Sequence, residues 1–407
     1  MKKIIDNSFA RLFFASMMLV AAMFVSCNND EDSGSGPVIT EVRNYAAAPN
    51  DTLVNKLVPG QWVVLKGSNL KDAVKIAFNG IAVDFNGGLF ADNYAVVQVP
   101  AVIPFPSVAE NDLNTIELVT PKGKVIFDID IMAGPPALDR ISNENALPGE
   151  EVVVYGTNLF HISELIFAGV SVQEFTGSDD GTSVSFIMPS IATSGPLKIT
   201  TESGEILTAF NVNDKTTGVI SNADNIFNWP YWGGAQVVNG AGNSNFPGGN
   251  VTNFFVMDFA SLSAGDGQSW SHAVRIGQTQ WIPAENLSDP VDNWALKFEI
   301  NVPNPWLGGS IMVAASTGNY LARYEPWQGS PTGFKTTGWQ TVTIPFAQFR
   351  DGGNGKGDIV KNITELVGAE GKSECQIYLH NYGASGIAFK AAFDNIRVVK
   401  IINEQSN

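Results

Sequence analysis

The chain has 407 residues, of which 44% are apolar, and a formal net charge of −16 at pH 7. That length predicts two or three domains rather than one, with enough apolar side chains to fill several cores. The excess of acidic residues argues against nucleic acid or anionic lipid headgroups as the main partner, because like charges repel.

Residues 1–26 are predicted to be a secretory signal. Basic side chains precede an apolar run that ends at Ser26, which is the order of segments in such signals. The ending FVSC resembles a bacterial lipobox, and this resemblance implies cleavage before Cys27 and attachment of lipid to that cysteine. An ordinary signal peptide and an N-terminal membrane helix are the alternatives. No later span is apolar enough to predict a membrane crossing.

Residues 27–36 are predicted to be a flexible tether. NNDEDSGSG follows Cys27, and acids followed by Gly and Ser form a solvated chain. The stretch also resembles the acidic export signal of Bacteroidota lipoproteins, which implies the outer face of the outer membrane. Residues 1–26 carry a net charge of +2, so the mature chain carries −18. Cys375 is then the one other cysteine; we expect no intramolecular disulfide and, without a Cys/His cluster, no zinc site.

A tandem duplication follows the tether. PGQWVVLKGSNL at residues 59–70 aligns with PGEEVVVYGTNL at residues 148–159, at a constant offset of 89 residues. Each copy reads as short alternating strands separated by Gly, Asn and Pro turns, without a helical period. The duplication therefore predicts two β-sandwiches, over residues 37–134 and 135–213.

The repeated pattern also identifies a type of sandwich. P-x-I-x-x-V at Pro37 to Val42 and G-x-x-V-x-L-x-G-x-N-L after it resemble the IPT/TIG branch of immunoglobulin-like domains. Neither copy has a loop crowded with aromatic or titratable side chains, so both are interpreted as rigid spacers. The sequence does not decide whether the Trp62 side chain lies in the core or on the surface of its strand.

The composition changes at about residue 214. Eight of the nine tryptophans lie between Trp229 and Trp339, and WALKFEINV, WQTVTIPFAQF and AFDNIRVVKI each suit a half-buried strand. A jelly-roll-like β-sandwich over residues 214–407 accounts for them. The predicted fold is all-β: two tandem immunoglobulin-like (IPT/TIG) sandwiches followed by a larger jelly-roll-like sandwich.

Those three phrases resemble carbohydrate-binding jelly rolls, and the order of modules resembles the surface glycan-binding lipoproteins of Bacteroidota polysaccharide-utilisation systems. The resemblance implies a non-catalytic protein that captures a polysaccharide at the cell surface. It favours a neutral β-glucan such as xyloglucan or mixed-linkage glucan. The implied partners are outer-membrane lipid through Cys27, and the transporter and other glycan-binding lipoproteins of the same system.

Aromatic residues in loops are the predicted binding residues, because flat rings offer large apolar area to sugar faces at little cost in rotamer entropy. Rings on strands, such as Trp294 and Trp339, are expected to pack inside, as is Trp229, and Trp270 is left undecided. Arg323 and Glu325 either pair with each other or stay solvated, and Gln328 lies close to them. The predicted carbohydrate-binding residues are Tyr231, Trp232, Trp281, Trp306, Trp327, Arg323, Glu325 and Gln280.

Two other functions are weighed. A surface glycoside hydrolase needs two carboxylates poised across the bond, but Glu285, Glu299, Glu325 and Asp394 form no recognisable catalytic signature. An adhesin would bind host protein through the immunoglobulin-like modules, whereas the tryptophans concentrate elsewhere. No cofactor is predicted; Asp394 resembles a calcium-binding acid of related jelly rolls, but one carboxylate does not make a site.

Overall fold

The computed structural model describes residues 35–190, 193–226, 234–248, 252–266, 273–315 and 319–402. They form β-sandwiches in chain order, as predicted. The described residues fall into two compact units: residues 104–107 and those from 133 onward form the second, and the rest form the first. Within these ranges no helix is long and apolar enough to span a membrane.

The first sandwich lies in the first unit. Its sheets have the strand orders β1-β3-β7-β6 and β5-β4-β8-β9, and β2 pairs with β10 in parallel. The strands are β1 (Val38–Asn44), β2 (Lys56–Leu57), β3 (Trp62–Ser68), β4 (Lys75–Phe78), β5 (Ile81–Ala82), β6 (Phe90–Ala91), β7 (Tyr94–Gln98), β8 (Thr115–Thr120), β9 (Gly123–Asp128) and β10 (Asp130–Ile131). Val63 and Leu65 are fully buried, whereas Trp62 is 45% exposed, so Trp62 lies on the outer face of its strand.

The second sandwich lies in the second unit and repeats the same strand order, β11-β12-β16-β15 facing β14-β13-β17-β18. Its strands are β11 (Ala137–Ile141), β12 (Glu151–Thr157), β13 (Glu164–Phe167), β14 (Val170–Ser171), β15 (Phe175–Gly177), β16 (Ser183–Ile187), β17 (Gly195–Thr201) and β18 (Gly204–Val212).

The glycines shared by the two copies have a common cause. A side chain at Gly67 would overlap the carbonyl oxygen of Val38, and one at Gly156 would overlap that of Ala137. Both glycines face a register shift in the neighbouring strand. The repeated glycine therefore marks a close approach of two backbones at a bulge.

The third sandwich is the largest. Its six-stranded sheet has the order β20-β21-β28-β23-β26 with β19 on β28, and its four-stranded sheet has the order β22-β27-β24-β25. The strands are β19 (Val219–Ser221), β20 (Gln236–Asn239), β21 (Asn253–Leu262), β22 (Val274–Gln280), β23 (Trp294–Asn301), β24 (Ser310–Ala315), β25 (Tyr320–Tyr324), β26 (Gln340–Pro345), β27 (Lys372–His380) and β28 (Ile387–Lys400). A five-residue helix, α1 (Ile363–Val367), begins after Asn362, whose side chain accepts from the Glu365 N–H at 2.9 Å.

Short 3₁₀ turns complete the described secondary structure. They lie at Gly87–Leu89, Phe105–Ser107, Glu110–Asp112, Ala284–Asn286, Val291–Asn293 and Phe346–Gln348.

The main core lies between the two sheets of the third sandwich, where Phe298 and Phe393 face Val313 and Ile377. Trp294 is in this core at 7% exposure, as predicted. Strand β23 departs from the half-buried pattern expected for it, since every residue from Trp294 to Asn301 is buried. The second sandwich covers part of the outer face of β23, and the sequence pattern of this strand alone cannot predict that burial.

A buried ionic cluster joins the second and third sandwiches. The Glu144 carboxylate accepts from Lys297 Nζ at 2.5 Å and from Arg397 Nη2 at 2.5 Å, and all three side chains are at most 4% exposed. Burial alone would raise the pKa of Glu144, but the two cations hold it below its ordinary value. Arg397 also donates to the Asp214 carbonyl at 2.9 Å. The second sandwich is thus joined through a buried interface, which fixes its position on the third.

Candidate functional site

Two of the predicted binding residues are buried, which corrects the expectation that their rings stand exposed in loops. Trp281 is 2% exposed and Trp306 is 1% exposed, both within the main core. The Trp306 ring packs edge-on against Phe389 at 5.1 Å, and its N–H donates to the Gly308 carbonyl at 2.5 Å. Neighbouring Pro and Gly did mark turns, but the two rings point into the core rather than outward.

The other predicted aromatic residues have different outcomes. Tyr231 and Trp232 lie outside the described residues, as do Trp229 and Trp270, so their predicted roles stay predictions. Trp327 is half-buried; it packs against the main core and its N–H donates to the Gly309 carbonyl at 2.8 Å. It therefore offers less ring surface than a free platform would.

The predicted polar residues divide between the two ends of β27. Gln280 ends β22 and pairs in register with Lys372, at the start of β27. Arg323 lies beside Met312, whose other neighbour, Tyr378, is near the end of β27. Gln280 and Arg323 therefore cannot serve one small binding site.

Of the two alternatives left open for Arg323 and Glu325, the structure shows pairing. Arg323 Nη2 lies 2.5 Å from Glu325 Oε1 and donates to the Ser310 hydroxyl at 2.8 Å. Gln328 donates to the other Glu325 oxygen at 2.7 Å, and Ser310 also hydrogen-bonds to Glu325. This Arg323 cluster holds a guanidinium and a carboxylate in fixed orientations with their charges balanced.

The Arg323 cluster borders the outer face of the four-stranded sheet. Strand β27 alternates: Cys375, Ile377 and Leu379 enter the core, so Gln376 and Tyr378 point outward. The register then places residues side by side on the outer face. Tyr378, Met312 and Arg323 form one row, and Gln376, Ala314 and Leu321 form the next.

A groove of about 450 Å³ lies over this face, a size within the range of small-ligand sites. Met312, Ala314 and Leu321 form an apolar cluster separate from the main core, with Tyr378 packed against it. We call this feature the outer-face groove. The residues that line it and matter here are Ala314, Asn319, Tyr320, Leu321, Gln376 and Tyr378.

An aromatic stack stands at the Arg323 end of this face. The rings of His380 and Tyr382 lie 3.8 Å apart at an angle of 20°, and the Arg323 guanidinium lies 4.5 Å from the centre of the Tyr382 ring. Tyr382 is 40% exposed. Burial and the Arg323 charge lower the pKa of His380 below 6.5, with Asp266 acting in the opposite direction. The lowered pKa favours the neutral imidazole, whose ring can stack without carrying charge.

This arrangement suits binding of a neutral, hydroxyl-rich ligand. Tyr378 and Tyr382 supply flat rings, and Gln376 and the Arg323 cluster supply donors and acceptors. The described lining residues of the groove include no carboxylate, and Glu325 at its border is occupied by Arg323, Ser310 and Gln328. The groove thus lacks, among the described residues, the carboxylate pair that glycoside hydrolysis uses.

Tyr378, Gln376, His380 and Tyr382 were missed by sequence reasoning. The signal for them was present in CQIYLHNYG, where every second residue between Gln376 and His380 is polar or aromatic and the others are apolar. Period-two alternation assigns those side chains to the face opposite the core.

The surroundings of Asp394 show whether it could belong to a calcium site. Asp394 is 1% exposed and pairs in register with Glu299, which is 4% exposed and accepts from Asn395 Nδ2 at 2.7 Å. Among the described residues, no group of three or more His, Cys, Asp or Glu side chains could hold a metal ion. We assign no metal to this position.

Comparison with known proteins identifies the class of the third sandwich. Residues 212–400 match the family model of the surface glycan-binding protein B xyloglucan binding domain. The solved structure of the surface glycan-binding protein PbSGBP-B from Prevotella bryantii aligns over 90% of this chain and 99% of its own, at 19% identity and a TM-score of 0.66. SGBP-B from a complex xyloglucan utilization locus in Bacteroides uniformis aligns over 90% and 100%, at 20% identity and a TM-score of 0.47. No curated protein matches the chain.

The domain at residues 212–400 therefore belongs to the family of surface glycan-binding protein B xyloglucan binding domains. The Prevotella structure extends the likeness of fold to nearly the whole chain. The predicted resemblance to the surface glycan-binding proteins is confirmed, by the family model for residues 212–400 and by fold for nearly the whole chain.

Proposed function

We propose that this protein is a non-catalytic cell-surface binder that holds a neutral β-glucan, such as xyloglucan or mixed-linkage glucan, in the outer-face groove. The observation that carries the proposal is the groove itself. Its lining includes the outward ring of Tyr378 and the Gln376 amide above an apolar cluster, and the Arg323 cluster begins in the neighbouring row of the same face. The family of the third sandwich gives the class of ligand.

The charges of the site favour a neutral polymer. Arg323 is compensated by Glu325 at 2.5 Å, so among the described residues that line or border the groove Arg323 is not a free cation for a uronic acid. The net charge of −16 also repels acidic polysaccharides at long range. Selectivity among neutral glucans would then come from shape and from hydroxyl positions, because stacking alone discriminates weakly.

The chain is proposed to be anchored in the outer membrane by lipid on Cys27 and to face the cell exterior. Acyl chains contribute about 0.8 kcal/mol for each buried CH₂, so a multiply acylated terminus holds a soluble body on a membrane. Cys27→Ala should abolish palmitate labelling and release the protein from the surface. Unchanged surface retention would contradict the anchor.

A test of the site uses the Tyr378 ring in the groove, the Tyr382 ring in the aromatic stack on the same side, and one control ring on the first sandwich. Tyr378→Ala and Tyr382→Ala should each weaken binding of xyloglucan or mixed-linkage glucan by about 1–3 kcal/mol, the range for truncating an aromatic anchor. Tyr94→Ala, on the first sandwich where Tyr94 is 37% exposed, should leave affinity unchanged. Calorimetric titration measures affinity, and thermal melts check that each variant is folded.

Two outcomes would contradict the proposal. If both groove variants bind the glucans normally while folded, the site lies elsewhere, and Trp232 becomes the first residue to substitute. If the purified protein releases reducing ends from the glucan it binds, the chain is a hydrolase rather than a binder.

A further inference from the structure

A second cavity lies where the second sandwich meets the third, away from the outer-face groove. It has a volume of about 360 Å³, and both sandwiches contribute to its walls. Phe210 at the end of β18 forms one wall, and Trp281, Pro283 and Trp294 form the other. We call it the junction cavity. Cavities at domain interfaces with aromatic walls are common places for small ligands.

The walls of the junction cavity are held rigidly. The Trp294 N–H donates to Asp289 Oδ2 at 3.0 Å, and the Trp281 ring packs on Phe346 at 6.1 Å. Lys297 lies 3.4 Å from the centre of the Phe210 ring, and Lys297 is itself fixed by Glu144. The cavity therefore exists before a ligand arrives, which lowers the entropic cost of binding.

The charged groups at the cavity are compensated within the protein. Lys400 Nζ lies 3.3 Å from Asp289 Oδ2. Asp214 Oδ1 accepts from the backbone N–H groups of Thr216 and Thr217, both at 3.0 Å, and from the Thr216 hydroxyl at 2.9 Å. A charged ligand would have to displace these contacts, so the cavity favours a neutral one.

Gln280 offers a fixed acceptor at the cavity. Its Nε2 donates to the carbonyl oxygens of Ile282 at 2.6 Å and Glu370 at 2.8 Å. The side-chain carbonyl oxygen is thereby oriented, and no described residue donates to it. A ligand hydroxyl could fill that role.

From these features we propose that the junction cavity is a second saccharide site, which takes one or two rings of a neutral sugar. The apolar aromatic side chains in the walls suit the apolar face of a sugar ring, and Gln280 matches a hydroxyl. The choice of a saccharide as ligand rests on the proposed glycan-binding function. The cavity itself shares none of its lining residues with the outer-face groove.

The test uses the complete mature protein labelled with ¹⁵N-tryptophan and titrated with cellobiose at millimolar concentration. The indole N–H signals of Trp281 and Trp294, assigned with Trp294→Phe, should shift and saturate. Ala209→Leu, which places a larger side chain in the cavity wall, should raise the cellobiose Kd measured on these signals at least tenfold. Ala82→Leu, at an exposed position in β5 of the first sandwich, is the matched control and should leave the Kd unchanged.

Two further arms separate this site from the groove and from a site for charged sugars. Tyr378→Ala should leave the Trp294 titration unchanged even if it abolishes polymer binding, and Ala209→Leu should leave polymer binding unchanged. Sodium glucuronate should give no saturable shift.

The proposal is overturned if the wild-type signals do not respond to cellobiose, if folded Ala209→Leu responds like wild type, or if glucuronate binds as well. Should Ala209→Leu fail to fold, Gln280→Met removes the acceptor at similar size and must then weaken cellobiose binding.

Discussion

The third sandwich has two outer faces that are used in opposite ways. On the six-stranded sheet, Lys297, Glu299 and Arg397 are each at most 4% exposed, and Glu144 of the second sandwich covers part of that face. On the four-stranded sheet, Tyr378 is half-buried and Tyr382 is 40% exposed beside an open groove. Charged side chains are thus buried on one face, while aromatic rings reach solvent on the other.

This contrast shows that residue type does not by itself tell which face binds. A buried ionic cluster is favourable only while all its members are present, because each charge loses its hydration. Exposed rings gain by covering themselves with a ligand that has apolar faces. The first face therefore serves the joining of two domains, and the second is free for recognition.

The largest effect is expected on the joined face. Glu144→Ala leaves Lys297 and Arg397 buried without their carboxylate, and the free energy of unfolding should fall by about 3–5 kcal/mol. Chemical denaturation followed by tryptophan fluorescence reports this, since eight of the nine tryptophans lie between Trp229 and Trp339.

The control for that measurement is Glu117→Ala in the first sandwich. Glu117 pairs with Lys75 at 2.7 Å at a partly exposed position, and such pairs contribute about 0–1 kcal/mol. Equal losses for the two variants would mean that burial of the Glu144 cluster is unimportant.

A loss of similar size is expected for a ring that sequence reasoning placed at the surface. Trp306→Ala should cost about 3–5 kcal/mol of unfolding free energy, as a large-to-small core substitution does. Trp294→Ala should behave in the same way. Thermal melts with glucan titrations of the folded fraction separate stability from binding; normal stability with lost binding would restore Trp306 to the binding surface.

A smaller effect concerns pH on the open face. The pKa of His380 lies below 6.5 in the folded protein, mainly through burial and then through Arg323. Acidification below about pH 6.5 therefore protonates the unfolded chain first, and the stability contributed by neutral His380 falls as pH decreases toward its folded pKa.

Glucan affinity should fall in the same direction, because a ligand that covers His380 penalises its protonated form further. His380→Gln should flatten the pH profile of glucan affinity between pH 7.5 and pH 5. His161→Gln, at an exposed position of the second sandwich, should leave the profile unchanged. An unaltered slope in His380→Gln would remove His380 from the site.

The smallest effect is expected for the first sandwich. If it is a spacer, a mature chain that lacks residues 37–132 should bind the same glucan with a Kd within about twofold of that of the complete chain. This is a small change, since a tenfold change in Kd corresponds to about 1.4 kcal/mol. The isolated segment, residues 37–132, should show no affinity in the same calorimetric titration. Binding by that segment would move recognition to the immunoglobulin-like modules.

Local pattern alone was sufficient for the order and type of domains. The repeat at an offset of 89 residues, with Gly67 and Gly156 at equivalent bulges, predicted two like sandwiches, because a close backbone approach demands the same residue in both copies. The pairing of Arg323 with Glu325 was one of two alternatives that the sequence left open, since opposite charges close together in the chain can pair or stay solvated.

Which rings and which charges face solvent was decided by the tertiary structure. Trp281 and Trp306 sit beside Pro and Gly and look exposed in sequence, yet both rings are packed in the core, Trp281 against Phe346 and Trp306 against Phe389. Lys297 alternates with apolar neighbours and looks solvated, yet the second sandwich supplies Glu144 to bury it. Alternation and turn residues specify local direction only. Whether a face meets water, a core or another domain depends on elements far away in the chain, whose packing is set by the total burial of apolar area and the satisfaction of buried charge.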